Sequence, residues 1–226
     1  SLHDALPIWR ELNDYRRLNA FSPYWSLNAR MPSTYVPLNA TLGFKASPVN
    51  GLWFNVFGGY RISKDELFCN LVDADGYYFT HFLQDKAKTA YGGAELKYGY
   101  KDWFDASLKG TFYSWKTDNE NEELYLVTKP KFELNFYAEA KVFEGLKVNL
   151  GYEYVQRKEY VIEEGNSSRD FGLGNISNLS VGASYTFLKD LSVFGRVNNL
   201  LNKQYYYEYG YPAEKLNVLA GLSLAF

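Results

Sequence analysis

Cysteine, histidine and methionine are nearly missing from this sequence of 226 residues, which holds one cysteine (Cys69), two histidines (His3 and His81) and one methionine. A single thiol excludes an internal disulfide framework. Neither histidine has a carboxylate or thiol at ligand spacing, so no metal site is assigned. The charges nearly cancel, 24 Lys+Arg against 26 Asp+Glu, which excludes a nucleic-acid binder that works through a basic field. No run of about 18 uncharged apolar residues occurs, so helical membrane spans are excluded. What the chain has instead is aromatic: 21 Tyr, 16 Phe and 5 Trp within an apolar content of 46%. Disorder is incompatible with that composition. The length suffices for one domain with a sizeable core, or two small ones. A membrane protein built from strands survives these exclusions, and so does an aromatic-rich soluble β protein.

The ends shape the expected domain layout. The first residue is not Met, and no charged n-region with an apolar h-region precedes the body. The opening "SLHDALPI" reads as translated adapter sequence, so residues 1–8 are set aside. The last residues, "LNVLAGLSLAF", close a strand pattern on an aromatic. A fragment with a true C-terminus and a false N-terminus is expected.

Alternation with a period of two recurs along the chain. Val36, Leu38, Ala40, Leu42, Phe44 and Ala46 share one phase, and Leu52, Phe54, Val56, Gly58, Tyr60 and Ile62 follow after "SPVNG". The same pattern returns over residues 90–100, 104–112, 132–142, 146–154, 179–187, 191–197 and 216–226, which predicts nine strands. Their apolar phase covers 49 positions, none of them charged. The opposite phase carries Lys45, Arg61, Glu95, Lys97, Asp105, Lys109, Glu133, Glu139, Lys147 and Arg196.

Three features point to lipid as the apolar medium. The strands run about 9 to 12 residues, the length a tilted strand needs to cross a bilayer. Tight turns near 47–51, 101–103, 143–145 and 188–190 alternate with long polar segments near 63–89, 113–131, 155–178 and 198–215. Outer-membrane barrels sort their loops this way, short in the periplasm and long outside. Aromatics of the apolar phase (Phe44, Tyr60, Phe104, Phe112, Phe132, Tyr154, Tyr185) sit near strand ends, and Ala40, Gly58, Leu108, Ala138 and Ala183 fill the middles. Two girdles around an aliphatic band are expected at the two lipid–water interfaces. The predicted fold is all-β: a partial antiparallel transmembrane β-barrel, an open or curved sheet, in the bacterial outer membrane. Residues 1–34 form an extracellular segment, with a short helix around Trp9 to Asn19, and residues 35–226 form the barrel strands. Nine is odd for a single-chain bacterial barrel, and lipid cannot satisfy open edges, so further strands are expected elsewhere.

The stretch Leu191–Phe226 resembles the end of TonB-dependent receptors. The matching residues are Asn198, Asn199, Leu200, Leu201, Asn202, Lys203 and Tyr205, then Gly210, Tyr211 and Pro212, then Phe226, within about a sixth of the chain. The resemblance implies a barrel of roughly 22 strands with a plug domain inside it, importing a scarce nutrient such as a siderophore, cobalamin or a glycan. The plug and the segment that contacts TonB are not found in these residues. Gly221, Leu224 and Phe226 also resemble the signal read by the barrel-assembly machinery, although Leu219 replaces its usual polar residue.

No cofactor and no catalytic residue is assigned, and the chain is not expected to be an enzyme. "DADG" at Asp73 to Gly76 starts like a calcium loop, but Gln84 stands where the twelfth-position Glu belongs, so an exposed turn is the better reading. "DNENEE" at Asp118 to Glu123 could hold divalent cations beside lipopolysaccharide; a solvated loop tip weighs more. Glu163 and Glu164 adjoin in a polar loop, and Cys69 stands in a loop without a base. Aromatic loop clusters suit recognition of a small molecule or glycan, because rings offer area at low entropy cost. They place Tyr24 and Trp25, Tyr77 and Tyr78, and Tyr206 and Tyr207 at the ligand face, with loop-on-loop packing as the ordinary explanation of any one ring. The expected partners are the lipid bilayer and lipopolysaccharide, the barrel-assembly machinery, the TonB system through a plug, and the ligand. Two other readings stay open: a soluble aromatic-rich β-sandwich that binds carbohydrate, and a passive porin or adhesin barrel.

Overall fold

The computed structural model describes residues 9–11, 32–74, 77–118, 126–159, 161–164, 167–170, 172–188, 191–208 and 211–224. In chain order the strands are β1 (Trp9–Glu11), β2 (Thr34–Val49), β3 (Leu52–Ala74), β4 (Tyr77–Tyr100), β5 (Phe104–Thr117), β6 (Pro130–Phe143), β7 (Leu146–Arg157), β8 (Val161–Glu164), β9 (Ser167–Asp170), β10 (Ile176–Leu188), β11 (Leu191–Asn198), β12 (Tyr206–Glu208), β13 (Tyr211–Pro212) and β14 (Asn217–Leu224). Nine long strands pair antiparallel with their neighbours in one sheet, β2-β3-β4-β5-β6-β7-β10-β11-β14, and the short β1 joins at the β2 edge. The small hairpins β8–β9 and β12–β13 stand apart from it. Among the described residues the sheet does not close, since there β14 pairs with β11 alone and β2 with β3 and β1.

The apolar phase faces outward and stays exposed. Leu42 is 84% exposed, Leu222 73%, Phe112 65% and Phe44 64%. A soluble sandwich would bury these side chains between two sheets. Here the long strands make one sheet, so that reading is set aside.

The girdles exist as chains of touching rings. On the turn side Tyr98 meets Phe104 at 6.3 Å between ring centres, Trp103 meets Tyr100 at 5.7 Å, and Phe143 meets Tyr185 at 6.1 Å. On the loop side Phe112 meets Phe132 at 4.4 Å, and Phe132 meets Tyr154 at 6.3 Å. From Phe132 to Phe143 the strand covers about 36 Å, which a tilt of roughly 40° reduces to about 28 Å, close to the height of an outer-membrane apolar band.

The inner face is smoothed by rings laid over glycines. Gly59 lies opposite Tyr91, and Gly93 opposite Phe57. A Cβ on Gly59 would fall 2.4 Å from the Tyr91 ring, and one on Gly93 would fall 2.4 Å from the Gly110 carbonyl and 2.8 Å from the Phe57 ring. Ion pairs such as Lys97–Glu95 at 2.9 Å and Lys147–Glu139 at 3.6 Å hold the inner-face charges to the wall.

The structure corrects three expectations. Trp9–Glu11 pairs with Thr34–Val36 as a strand, where a helix was expected. Most of the segment near 63–89 is strand, because β3 and β4 continue as a paired hairpin to Ala74 and Tyr77. Cys69 accordingly lies in β3 and not in a loop. Above the bilayer neither face must be apolar, so the alternation that marks a strand fades although the backbone pairing continues.

Candidate functional site

Two assemblies shape the loop side of the wall. The first begins at an irregularity in β3, between Ser63 and Glu66, where Asp65 takes φ 55° and β3 has one residue more than β4. One extra residue reverses which side chains face inward. Up to Ile62 the even positions point outward; beyond the bulge Glu66 and Phe68 pair with Asp85 and Leu83 and point inward. Phe68 and Ala87 then pack with Leu126, and Trp115 closes the cluster. The Trp115 indole N–H donates to the Pro130 carbonyl at 2.9 Å. Lys129 stands 5.0 Å from the centre of the Phe68 ring and 5.1 Å from that of Trp115. It reaches Glu66 at 3.6 Å, and Arg61 reaches the same carboxylate at 3.4 Å. Glu66 is only 5% exposed, and two cations compensate its burial. The chain before β6 is thereby tied across the inner face.

The second assembly is a corner built from the residues that carried the family resemblance. Asn199 is 1% exposed and takes φ 48°, a left-handed conformation that asparagine tolerates better than most residues. Its side-chain amide donates to the Lys203 carbonyl at 2.7 Å and the Glu214 carbonyl at 3.1 Å, and its Oδ1 accepts from the Lys203 amide at 3.1 Å. Its own backbone amide donates to Asn178 Oδ1 at 3.1 Å. Asn202, at φ 50°, accepts from the Leu216 amide at 3.2 Å, and Asn198 bonds Asn217 at 3.0 Å. These asparagines turn the chain from β11 toward β14.

The β12–β13 hairpin is fastened to this corner and to the wall. Arg157, 8% exposed, donates from its guanidinium to the Tyr206 carbonyl at 2.6 Å and the Tyr207 carbonyl at 3.5 Å. The Tyr207 hydroxyl donates to Glu153 Oε2 at 3.0 Å, and its ring stands edge-on to Tyr205 at 5.5 Å. Burial, and then the negative charge of Glu153, raises the Tyr207 phenol well above its ordinary range. Tyr205, 5% exposed, is raised chiefly by burial. The Tyr206 hydroxyl accepts from Gln204 at 3.0 Å.

The six aromatic residues expected at a ligand face therefore stand differently. Tyr206 and Tyr207 sit together on one small hairpin, and Tyr207 remains 46% exposed although its hydroxyl is engaged. Tyr77 and Tyr78 open β4 at the tip of the tall β3–β4 hairpin. Tyr24 and Trp25 lie outside the described residues. Of the assembly-signal residues, Gly221 lies beneath the Phe194 ring and Leu224 is 55% exposed; Phe226 lies outside the described residues. Sequence reasoning missed Arg157, Glu153, Lys129 and Glu66. Arg157 is 49 residues from its partner Tyr206, and no local pattern marks such a contact.

One antiparallel sheet of long strands, apolar and exposed on one face and ion-paired on the other, with a ring girdle toward each end, is a wall segment of a large transmembrane β-barrel. Solved structures of outer-membrane receptors share this fold. The pyoverdine outer-membrane receptor of Pseudomonas aeruginosa matches over 88% of this chain and 31% of its own, at 15% identity and a TM-score of 0.64. A structure described as the copper transporter OprC matches over 96% of this chain and 36% of its own, at 12% identity and 0.64. The ferric-catecholate import receptor of Escherichia coli K12 matches over 87% and 28%, at 14% identity and 0.61. The chain thus spans about a third of the length of these structures, which are TonB-dependent receptors, and has the fold of part of their barrel. No protein-family model and no curated protein matches the sequence.

Proposed function

We propose that residues 35–226 form the C-terminal part of the barrel of a TonB-dependent outer-membrane receptor, with residues 1–34 an extracellular segment. The protein takes up a scarce nutrient and is not an enzyme. The observation that carries this reading is the Asn199 corner: the residues that resemble the end of such receptors are those that turn β11 into β14, within a fold matched by such receptors. The flat inner face, where Tyr91 and Phe57 lie over Gly59 and Gly93, favours a lumen filled by a plug domain over the open channel of a passive porin.

Tyr24, Trp25, Tyr77, Tyr78, Tyr206 and Tyr207 are the proposed ligand-recognition residues. The neighbours' descriptions name pyoverdine, copper and ferric catecholates, which supports a metal or a metal-bearing small ligand ahead of cobalamin or a glycan. TonB would act through the plug, and the barrel-assembly machinery would read Gly221, Leu224 and Phe226. The test is uptake. Cells carrying the complete gene should accumulate radioactive iron supplied with pyoverdine or a catecholate, or copper, and lose that accumulation when TonB is deleted. Accumulation that persists without TonB would place the protein with passive channels.

A further inference from the structure

The inner face of the wall is paved on one side and recessed on the other. Over β3, β4 and β5 it carries large rings: Trp53, Phe57, Tyr91, Tyr113 and Trp115. Tyr113 stands 6.4 Å from Tyr91 and 6.2 Å from Trp115 between ring centres. Across β7 and β10 the inward pairs are Glu153–Asn178, Gly151–Ser180, Asn149–Gly182 and Lys147–Ser184. Among the described residues, no ring points inward from either strand over this stretch. The result is a recess of about 210 Å³, floored by Gly151, Ser180 and Gly182 and walled by Tyr137 on β6 and Arg196 on β11. Register sets these walls, because Tyr137 stands opposite Gly151 and Arg196 opposite Gly182.

Arg196 is the charge that the recess leaves uncompensated. Its guanidinium donates to Ser180 Oγ at 3.4 Å, a long bond to a neutral partner. Among the described residues it has no ion pair. The carboxylate beside it is taken, since Glu139 pairs with Lys147 at 3.6 Å and accepts from the Tyr137 hydroxyl at 3.0 Å. The cations of the paved side are differently placed. Lys97 is held by Glu95 at 2.9 Å, and Lys109 lies over the Phe57 ring at 5.7 Å.

This recess lies directly below the β12–β13 hairpin. Glu153, which accepts the Tyr207 hydroxyl, belongs to the same inward row of β7 as Gly151 and Asn149. From Glu153 to Asn149 is about 13 Å along the strand. A ligand released at Tyr207 therefore meets Arg196 next on this side of the lumen. Size decides what the recess can do. A pocket that encloses a whole small molecule measures about 300–1,000 Å³, so this one receives a single ring-sized or carboxylate-sized group. An exposed guanidinium gives an anion a modest hold. Passage needs such a hold, favourable enough to enter and weak enough to leave.

We propose that the recess between Tyr137 and Arg196 is a transit site for a net-anionic ligand, which crosses the lumen on the β7–β10–β11 side with its acidic group against Arg196. The proposal rests on the uptake reading and narrows it. An anionic metal chelate is carried, and a bare cupric ion, which the guanidinium repels, is not.

The test uses the complete receptor in cells that have TonB, supplied with radioactive iron as a net-anionic catecholate chelate or with copper as the free divalent ion. Surface binding is read on de-energised cells and uptake on energised ones. Arg196→Gln should lower the maximal uptake rate of the iron chelate about tenfold, the loss of one charge-assisted contact, and leave surface binding within about twofold. Arg196→Lys should keep most of the rate, and Arg196→Glu should lose more than Arg196→Gln. A fast-migrating unboiled band shows that each variant has folded. Equal maximal rates in the wild type and Arg196→Gln overturn the proposal, and so does copper ion taken up faster by Arg196→Glu than by the wild type. Loss of surface binding together with entry of vancomycin also overturns it, because Arg196 would then be holding a carboxylate of the plug. Wild-type cells that accumulate neither probe would refute the uptake reading itself, whereas wild-type uptake of the chelate with Arg196→Gln unchanged removes the transit site alone.

Discussion

The Tyr207 hydroxyl donates to Glu153 Oε2 at 3.0 Å, and this bond ties a loop hairpin to the inner face of strand β7. Tyr207→Phe removes the donor and keeps the ring. It should cost about 0.5–1.5 kcal/mol of local stability, read as faster hydrogen exchange over residues 205–213. Unchanged exchange would show that Arg157 holds the hairpin alone.

The same tie has a calculable pH dependence. The folded-state phenol is raised above the ordinary value of 10.0, so the neutral form is the one the fold favours. Its contribution is complete below about pH 10 and is lost as pH rises through the folded-state value. Hydrogen exchange of the hairpin, corrected for the intrinsic rate, should therefore be flat from pH 7 to about pH 9 and quicken above about pH 10. In Tyr207→Phe that step should vanish.

Asn199 has both a conformational and a hydrogen-bonding task, and substitutions can separate them. Asn199→Gly keeps access to φ 48° and loses the side-chain bonds; Asn199→Ala loses both. The alanine variant should cost about 4–5 kcal/mol, counting roughly 1 kcal/mol for each of the three lost side-chain bonds and 1–2 kcal/mol for the left-handed backbone. The glycine variant should cost less. The midpoint of urea unfolding in detergent micelles gives the order, and equal loss in both would assign the whole effect to hydrogen bonding.

These residues also show how far the sequence could be read. The wall was legible because lipid forces one phase to be apolar, so Val36 to Phe44 and Leu52 to Ile62 mark their strands without structural help. That constraint ends above the membrane. The continuation of β3 and β4 past Ile62 was hidden, and the bulge at Asp65 turned Phe68 and Glu66 inward against the parity established below it. The asparagine run was visible as a resemblance, but its hydrogen bonds, which join Asn199 to Asn178, Lys203 and Glu214, follow only from the fold. The Arg157–Tyr206 contact and the place of Arg196 opposite Gly182 depend on register, which alternation alone does not supply.

The two faces of the wall should respond oppositely to charge. Leu108 is 40% exposed on the outer face; Ser107 is paired with Lys97 and Tyr137 on the inner one. Leu108→Arg or Ala138→Arg should cost about 2–4 kcal/mol near the bilayer midplane, and the same change at Ser107 or Asn135 much less. Unfolding free energies measured in lipid vesicles give the comparison. Similar costs on both faces would mean that the outward phase does not meet lipid.

The two ends of the sheet lead to the last prediction. Among the described residues, Leu38 to Val49 of β2 pair only with β3, and β14 pairs only with β11. Each free edge presents a row of backbone N–H and C=O groups, and each such group costs several kcal/mol when left unsatisfied in hydrocarbon. Beside them Leu42, Val218 and Leu222 are exposed, so the edges are apolar as well as unpaired and are open to pairing with other chains. The 226-residue chain expressed by itself should therefore collect as inclusion bodies. Refolded into detergent, it should elute as a broad distribution of oligomers with no fast-migrating unboiled band. Strands that complete the barrel, supplied on the same polypeptide, should restore both a single elution peak and that band. A sharp monomer peak from the isolated chain would require β2 and β14 to pair with each other, in a closure that the structure does not have.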